Sequence, residues 1–165
     1  MKIVFMDVDG VLNCENTPDR CGIYIGIEDD KVELLKQIID ATDAKIVLSS
    51  TWRLGFNNKG HRLEHHAEYL KDKLARYGLE IYDKTKDLSR HGELRGKEIN
   101  EWLSRHPEVE QWVVLDDEWF TDFNMYDIGK HLVSTWFFTV REKGGLTKSS
   151  VEEAIKILKG EFDDV

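Results

Sequence analysis

A short apolar run that ends in two carboxylates constrains this chain more than any other feature. Residues 3–6 are apolar, and residues 7–10 read Asp-Val-Asp-Gly; such a run bounded by a turn signal predicts a buried β-strand. Because side chains alternate along a strand, Asp7 and Asp9 are expected on the same face. Two carboxylates at one strand end suit a shared divalent cation, although Asp and Gly are also ordinary turn residues.

Apolar residues at helical spacing alternate with short β-rich runs along the rest of the chain. The predicted helices cover residues 29–42, 61–77 and 95–103, and the predicted strands cover residues 45–49, 79–82, 111–115 and 131–133. A last helix is expected to begin with Ser149 and Glu152 in capping-box spacing. Strand–helix–strand units are right-handed, so the carboxyl ends of their strands share one edge. The pattern predicts a doubly wound, mostly parallel α/β sheet.

The length and net charge of the chain limit the number of domains and the kinds of partner it can have. A chain of 165 residues with 41% apolar content predicts a single domain, 1–165. Residues 13–27 are polar and contain glycine, which predicts a flap over the strand ends that is too short to be a cap domain. The net charge of −9 argues against a broad nucleic-acid-binding surface.

The expected cellular compartment follows from the absence of targeting and membrane-spanning patterns in the sequence. It has no apolar leader and no run near the roughly 18 apolar residues that a membrane span needs, so we expect no membrane partner and a cytoplasmic location. Cys14 and Cys21 lie in a polar stretch without metal-ligand spacing. Free thiols in a reducing compartment are the simpler expectation, with a loop disulfide as the alternative.

Hydroxyl groups follow the second predicted strand. Ser49 directly ends the apolar run, and Ser50 and Thr51 come next. Hydroxyls and backbone amides in such a turn can bind phosphate, and they can equally cap the segment that follows. Arg53 is either a surface cation or a bidentate clamp on a substrate anion.

Acids follow the fourth predicted strand, which ends in Asp116 and Asp117. Buried acids are costly unless a cation or hydrogen-bond donors compensate them, and the alternative is an ordinary acidic turn. The histidines at 61, 65 and 66 include an i, i+4 pair that suggests a metal site. No third ligand stands at a suitable spacing, so solvated helix residues are expected instead.

Together these motifs resemble those of the haloacid dehalogenase-like (HAD) phosphohydrolase superfamily. Over nearly the full length, the chain is similar to the HAD domains grouped with multi-domain Swiss Army Knife RNA repair proteins. The resemblance is carried by Asp-Val-Asp-Gly-Val-Leu-Asn at 7–13, Ile-Val-Leu-Ser-Ser-Thr-Trp-Arg at 46–53, Arg-Gly-Lys-Glu-Ile at 95–99, Val-Leu-Asp-Asp at 114–117 and Gly-Leu-Thr at 145–147.

The resemblance implies a Rossmann-like, HAD-type domain with helices on both faces and no cap. It also implies roles for individual residues: Asp7 as nucleophile, Asp9 as acid and base, Ser49 as a phosphate ligand, and Lys97 as the neutralising cation, with Arg95 as its competitor. Magnesium is expected on Asp7, the main-chain carbonyl of Asp9 and Asp116, with Asp117 close by. The remaining substrate-binding candidates are Gly10, Ser50, Thr51 and Arg53.

The acid at position 9 separates activities within the superfamily. Dehalogenases lack it and phosphatases carry it, so the resemblance implies a magnesium-dependent phosphatase for a phosphorylated small molecule or a nucleic-acid end. Two alternatives remain open at this point. One is a non-catalytic module that recognises a phosphorylated partner, and the other is a phosphotransferase of the same fold.

Overall fold

The computed structural model describes residues 1–56, 62–89 and 93–162. Its strands are β1 Lys2–Met6, β2 Arg20–Cys21, β3 Tyr24–Ile25, β4 Lys45–Leu48, β5 Ile81–Lys84, β6 Gln111–Asp116 and β7 Leu132–Ser134. Its α-helices are α1 Asp29–Thr42, α2 His65–Ala75, α3 Arg95–Ser104 and α4 Lys148–Leu158. Short 3₁₀ helices cover Thr51–Phe56, Phe123–Tyr126 and Gly129–His131.

Five strands form one parallel sheet in the order β5-β4-β1-β6-β7. The central strand β1 pairs with β4 and β6, and Met6 lies opposite both Leu48 and Leu115. The residues that follow these three positions therefore meet at one edge of the sheet. This is the edge at which open α/β sheets bind their ligands.

Helices cover both faces of the sheet, as the sequence predicts. Val4 and Met6 of β1 pack on one side in a cluster with residues of α1, α2 and α4. Ile3 and Phe5 pack on the other side with Ile99 and Trp102 of α3. Because both faces are buried, every residue after the first in β1 is apolar, which is typical of a parallel strand.

Some element boundaries differ from those predicted. Helix α1 has the predicted range, whereas α2 begins at His65, and residue 61 lies outside the described residues. Strand β5 begins two residues late, because the N–H of Leu79 donates to the carbonyl of Leu74 and so closes α2. The capping box of α4 uses Thr147 and Ser150, and the predicted pair at 149 and 152 is wrong.

Residues 13–27 contain the hairpin of β2 and β3. Cys14 and Cys21 are buried free thiols, as predicted.

In the described parts of the chain, none of the helices combines the length and apolar character that a membrane crossing requires.

Candidate active site

Three carboxylates meet where β1 and β6 end. The N–H of Asp7 donates to the carbonyl of Leu115 at 3.0 Å, so Asp7 lies beside Asp116 and Asp117. One oxygen from each of the three carboxylates lies within 4.8 Å of the other two. We call Asp7, Asp116 and Asp117 the acid cluster. No other group of three or more possible metal ligands occurs within the described residues.

The acid cluster holds its negative charge at a cost in free energy. Burial raises the pKa of Asp7, against the lowering effect of Arg95. Burial also raises the pKa of Asp116 well above its ordinary value, and the charge of Asp7 adds to this. Burial, Asp7 and Glu118 together raise the pKa of Asp117 to about 7. A positive charge placed among the three carboxylates would remove this cost.

Arg95 brings positive charge to the acid cluster. Its Nη1 lies 3.0 Å from Oδ2 of Asp116 and 3.8 Å from Oδ1 of Asp7, and it donates to the main-chain carbonyl of Ser49. The guanidinium also lies 4.7 Å from the ring centroid of Phe120. Burial lowers the pKa of Arg95, but the acids around it, first Asp7 and Asp116 and then Glu98 and Glu118, together raise it by more, so the side chain stays charged.

The start of α3 determines which cation reaches the acid cluster. Both carboxylate oxygens of Asp122 accept main-chain hydrogen bonds from α3, from Gly96 at 2.9 Å and Lys97 at 2.8 Å. This cap orients the first turn so that Arg95 is buried and the side chain of Lys97 is exposed. The structure therefore does not bring Lys97 to the site, and Arg95, its competitor in the sequence, takes that place.

Asp9 is held apart from the acid cluster by two donors. Asn13 Nδ2 donates to Oδ1 of Asp9 at 3.0 Å, and Trp52 Nε1 donates to Oδ2 at 3.1 Å. A carboxylate has about four acceptor positions, so each oxygen keeps one free for a proton. Asn13 and Trp52 have no role in the sequence analysis, because nothing in their spacing links them to Asp9.

Gly10 shapes the turn that follows the first strand. Its φ is +80°, its N–H donates to Oδ1 of Asn13 at 3.0 Å, and its carbonyl accepts from the Thr135 hydroxyl. A Cβ at this position would overlap the side chain of Asp117. The position therefore requires glycine on both conformational and steric grounds.

The three hydroxyl candidates differ in their surroundings. The Ser50 hydroxyl lowers the pKa of the Asp7 carboxylate, and its oxygen accepts from the N–H of Trp52 at 3.2 Å. Ser49 Oγ is buried, and none of the residues described offers it a hydrogen-bond partner. Thr51 is exposed and lines the cavity above the acid cluster. Ser50 is therefore the hydroxyl that acts on the expected nucleophile.

A cavity of about 460 Å³ opens over the site, and its charged lining is Asp7, Asp9, Arg95, Asp117 and Glu118. Its apolar lining is Ile23, Tyr24, Ile25, Phe120, Phe137 and Phe138. A larger cavity, of about 710 Å³, lies beside α2 and β5 and contains no residue of the acid cluster. The smaller cavity is therefore the one that gives access to the acid cluster.

Comparison with known families agrees with this geometry. The family model described as the HAD domain in Swiss Army Knife RNA repair proteins matches residues 3–151. The chain belongs to this family. No curated protein and no solved structure gives a significant match. Membership in the HAD family indicates a phosphatase-type function and a phosphorylated substrate.

HAD domains generally use magnesium, and the acid cluster suits that metal. Carboxylate oxygens are the ligands that magnesium prefers, and burial raises the pKa of all three acids, a cost that a bound cation would offset. Asp7, Asp116 and Asp117 are the side chains that would hold the ion. The side chain of Asp9 is turned toward Asn13 and Trp52, so only its main chain is available to a metal.

Arg53 has a partner other than the predicted substrate anion. It is 2% exposed, and its Nη2 lies 2.9 Å from Oε1 of the fully buried Glu98. Oε2 of Glu98 lies 4.0 Å from Nε of Arg95. Glu98 thus links Arg53 to the cation of the HAD site, and Arg53 does not line the cavity.

The histidines lie elsewhere in the HAD domain. His65 is exposed, while His66 is buried and stacks on Tyr24 with ring centroids 4.5 Å apart. Neither belongs to a cluster of possible metal ligands among the described residues. His66 is a packing residue beneath the hairpin, which differs from the solvated position expected for it.

Proposed function

We propose that this chain is a magnesium-dependent phosphatase in which one catalytic domain hydrolyses a phosphomonoester through an aspartyl-phosphate. The observation that carries the proposal is the pairing of a buried acid cluster with Arg95, beside a second aspartate that is held separately. A binding module needs positive charge for phosphate, but it does not need a nucleophile and a separate acid. The family description supports a nucleotide or a nucleic-acid end as the source of the ester.

The first half of the reaction uses both aspartates of the first motif. A carboxylate oxygen of Asp7 attacks phosphorus, and the bond from phosphorus to the ester oxygen breaks. Asp9 donates a proton to that oxygen, so the product leaves as an alcohol. Arg95 offsets the negative charge that builds on the phosphoryl oxygens. The main-chain N–H of Val8 donates to Oδ1 of Asp7 at 2.8 Å and so limits the rotation of the carboxylate.

The second half returns the protein to its starting state. Asp9, now ionised, takes a proton from water, and the oxygen of that water attacks phosphorus. The bond between phosphorus and the Asp7 oxygen breaks, and phosphate leaves. Bound magnesium supplies positive charge that reduces the repulsion between a carboxylate and a phosphate.

The test replaces the nucleophile. Asp7→Asn keeps the size of the side chain and removes its nucleophilic oxygen, so turnover of a phosphate-ester panel with magnesium should fall by at least about a thousandfold. Asp72→Asn, on the exposed face of α2, is the matched control and should keep wild-type rates. Full activity in Asp7→Asn would remove the assignment. Phosphate binding without turnover by the wild type would favour a binding module.

A further inference from the structure

Large apolar side chains surround the mouth of the cavity above the acid cluster. We call Ile23, Tyr24, Phe137 and Phe138 the rim. Ile23 is 92% exposed and Phe138 is 78% exposed, although each lines the cavity that contains Asp7 and Asp9. Exposed apolar surface next to a reactive site is typical of a ligand-binding surface. The proposed phosphoryl chemistry leaves the rim without a role.

The rim is held in place by neighbouring structure. The main-chain carbonyl of Phe137 accepts from the N–H of Glu15 at 2.9 Å, and that of Thr139 accepts from Asn16 Nδ2 at 2.7 Å. These bonds join the segment that carries the two phenylalanines to the start of the predicted flap. This part of the rim therefore needs little ordering before it binds, which favours affinity.

The tyrosine of the rim is also packed. Its ring lies 4.5 Å from the ring of His66 in a stacked arrangement and 5.0 Å from that of Trp52, centroid to centroid. The two phenylalanines pack edge to face, with ring centroids 4.9 Å apart. Three aromatic rings thus have fixed neighbours beside the cavity, and their remaining faces can accept another ring.

The charges in the cavity limit what can lie against the rim. Four of the five charged residues in its lining are acids, and the one cation, Arg95, is already paired with Asp116. Even if the acid cluster holds a metal ion, Glu118 remains in the lining to repel further negative charge. A leaving group with additional phosphates is disfavoured, and an uncharged leaving group is favoured.

We propose that the rim is a binding subsite for an uncharged, planar, unsaturated ring in the leaving group of the ester, such as a nucleobase. The inference rests on the proposed phosphatase function and adds the chemistry of the substrate to it. Aromatic side chains stack on the faces of all nucleobases, because every base has a π-face. A sugar phosphate alone would leave Ile23 and Phe138 in water.

Two substrate pairs test the subsite, each matched in its ester bond. Uridine 5′-monophosphate is compared with ribose 5-phosphate, and 2-phenylethyl phosphate with butyl phosphate. We expect kcat/KM to favour the ring-bearing member of each pair by about tenfold or more, in line with one stacking contact. Equal values within both pairs would overturn the proposal.

Substitutions in and beside the rim connect that preference to its side chains. Phe138→Ala should reduce the ring preference by about tenfold. Trp136→Ala is the matched control, because Trp136 is an aromatic residue of the same segment, is 69% exposed and does not line the cavity. It should keep the wild-type preference. A ring preference that survives in the double variant Phe138→Ala, Ile23→Ala would overturn the proposal.

A binding measurement separates the subsite from the reaction. Uridine should bind the wild type more tightly than ribose in ligand-observed NMR, and Phe138→Ala should lose that difference. If no ester is hydrolysed but uridine binding depends on Phe138, the proposed function fails and the subsite stands. If esters are hydrolysed without ring preference and uridine does not bind, the subsite fails alone.

A last arm identifies the source of the ring. A 5′-phosphorylated dinucleotide carries one further phosphate, and we expect its kcat/KM to be below that of uridine 5′-monophosphate. A preference for the dinucleotide that disappears in Phe138→Ala would support the subsite and assign the ring to a strand end. A preference for the dinucleotide that is unchanged in Phe138→Ala would count against the subsite.

Discussion

The acid cluster and the rim lie in one cavity but are built in opposite ways. The acid cluster lies at the ends of two paired strands and is largely buried and charged, whereas the rim lies in a hairpin and a loop and is apolar and partly exposed. Strand ends in a sheet have few alternative positions, whereas loops can change without disturbing a core. With the proposed function and the proposed subsite, this difference would mean that the sheet supplies the reaction and the loops select the substrate.

After loss of the nucleophile itself, the largest effect is expected where a cation meets the acid cluster. Arg95→Met should lower kcat by about a hundredfold to a thousandfold, because one donor aimed at developing charge is worth roughly that factor. Lys97→Met, two residues away on the exposed side of α3, should stay within about twofold of the wild type. The reverse order of effects would return the neutralising role to Lys97. Thermal unfolding with magnesium checks that both variants are folded.

Two glycines allow the two regions to be compared by the same substitution. Gly10 has φ +80° beside the acid cluster, and Gly22 has φ +61° in the hairpin that carries Ile23 of the rim. Gly10→Ala should cost about 2–4 kcal/mol in the free energy of unfolding, because the new Cβ is strained and overlaps Asp117.

Gly22→Ala should cost only about 1 kcal/mol, the strain of the left-handed backbone alone, because no atom lies within 4 Å of its Cβ position. Chemical denaturation measures both variants. Equal costs would show that the acid cluster tolerates displacement as well as the hairpin does.

The acid cluster should also make stability depend on pH. The folded state raises the pKa of Asp117 from 3.8 to about 7, so its protonated form is favoured by folding. That stabilisation is fully present below about pH 4 and is lost as the pH rises through 7. In EDTA, the Tm of the wild type relative to Asp117→Asn should therefore fall by a few degrees across this range.

Magnesium should act in the opposite direction. Because protons compete with the metal for the same oxygens, the gain in Tm on adding magnesium should grow between pH 4 and 7. A gain in Tm that is independent of pH would place the metal elsewhere. Parallel plots of Tm against pH for the wild type and Asp117→Asn in EDTA would contradict the raised pKa of Asp117.

The smallest effect is expected at the rim. Ile23→Ser should leave the free energy of unfolding within about 0.5 kcal/mol of the wild type, because the side chain is 92% exposed. Equilibrium denaturation measures this value. A larger loss would show that the hairpin contributes to the core, and the comparison between the two regions would then be too simple.

The sequence predicts the acid cluster better than the rim for a physical reason. Asp7 and Asp116 each follow an apolar run, and parallel strands must bring such positions to one edge. The rim depends on hydrogen bonds from Glu15 and Asn16 to a segment more than 120 residues later. No periodicity in the sequence predicts this contact between distant segments.

The sequence of α3 does not determine which of its two cations faces the acid cluster, because the rotation of the helix about its axis depends on contacts with other elements. Arg95 points inward since Asp122, a residue of a distant loop, caps the first turn of α3. Likewise, Arg53 is buried by Glu98, which lies 45 positions along the chain. Charged residues are normally expected at the surface, so the hydrophobicity pattern of a sequence does not predict a buried ion pair.

The hydrogen bond between Trp52 and Asp9 provides the protein with an intrinsic optical probe. Indole emission is sensitive to charge nearby, and here the indole nitrogen lies 3.1 Å from an oxygen of the carboxyl group assigned to proton transfer. Each gain or loss of that proton should alter the fluorescence of a residue already in the fold. With Trp52→Phe as the blank, proton movement during a single turnover becomes observable without any attached dye.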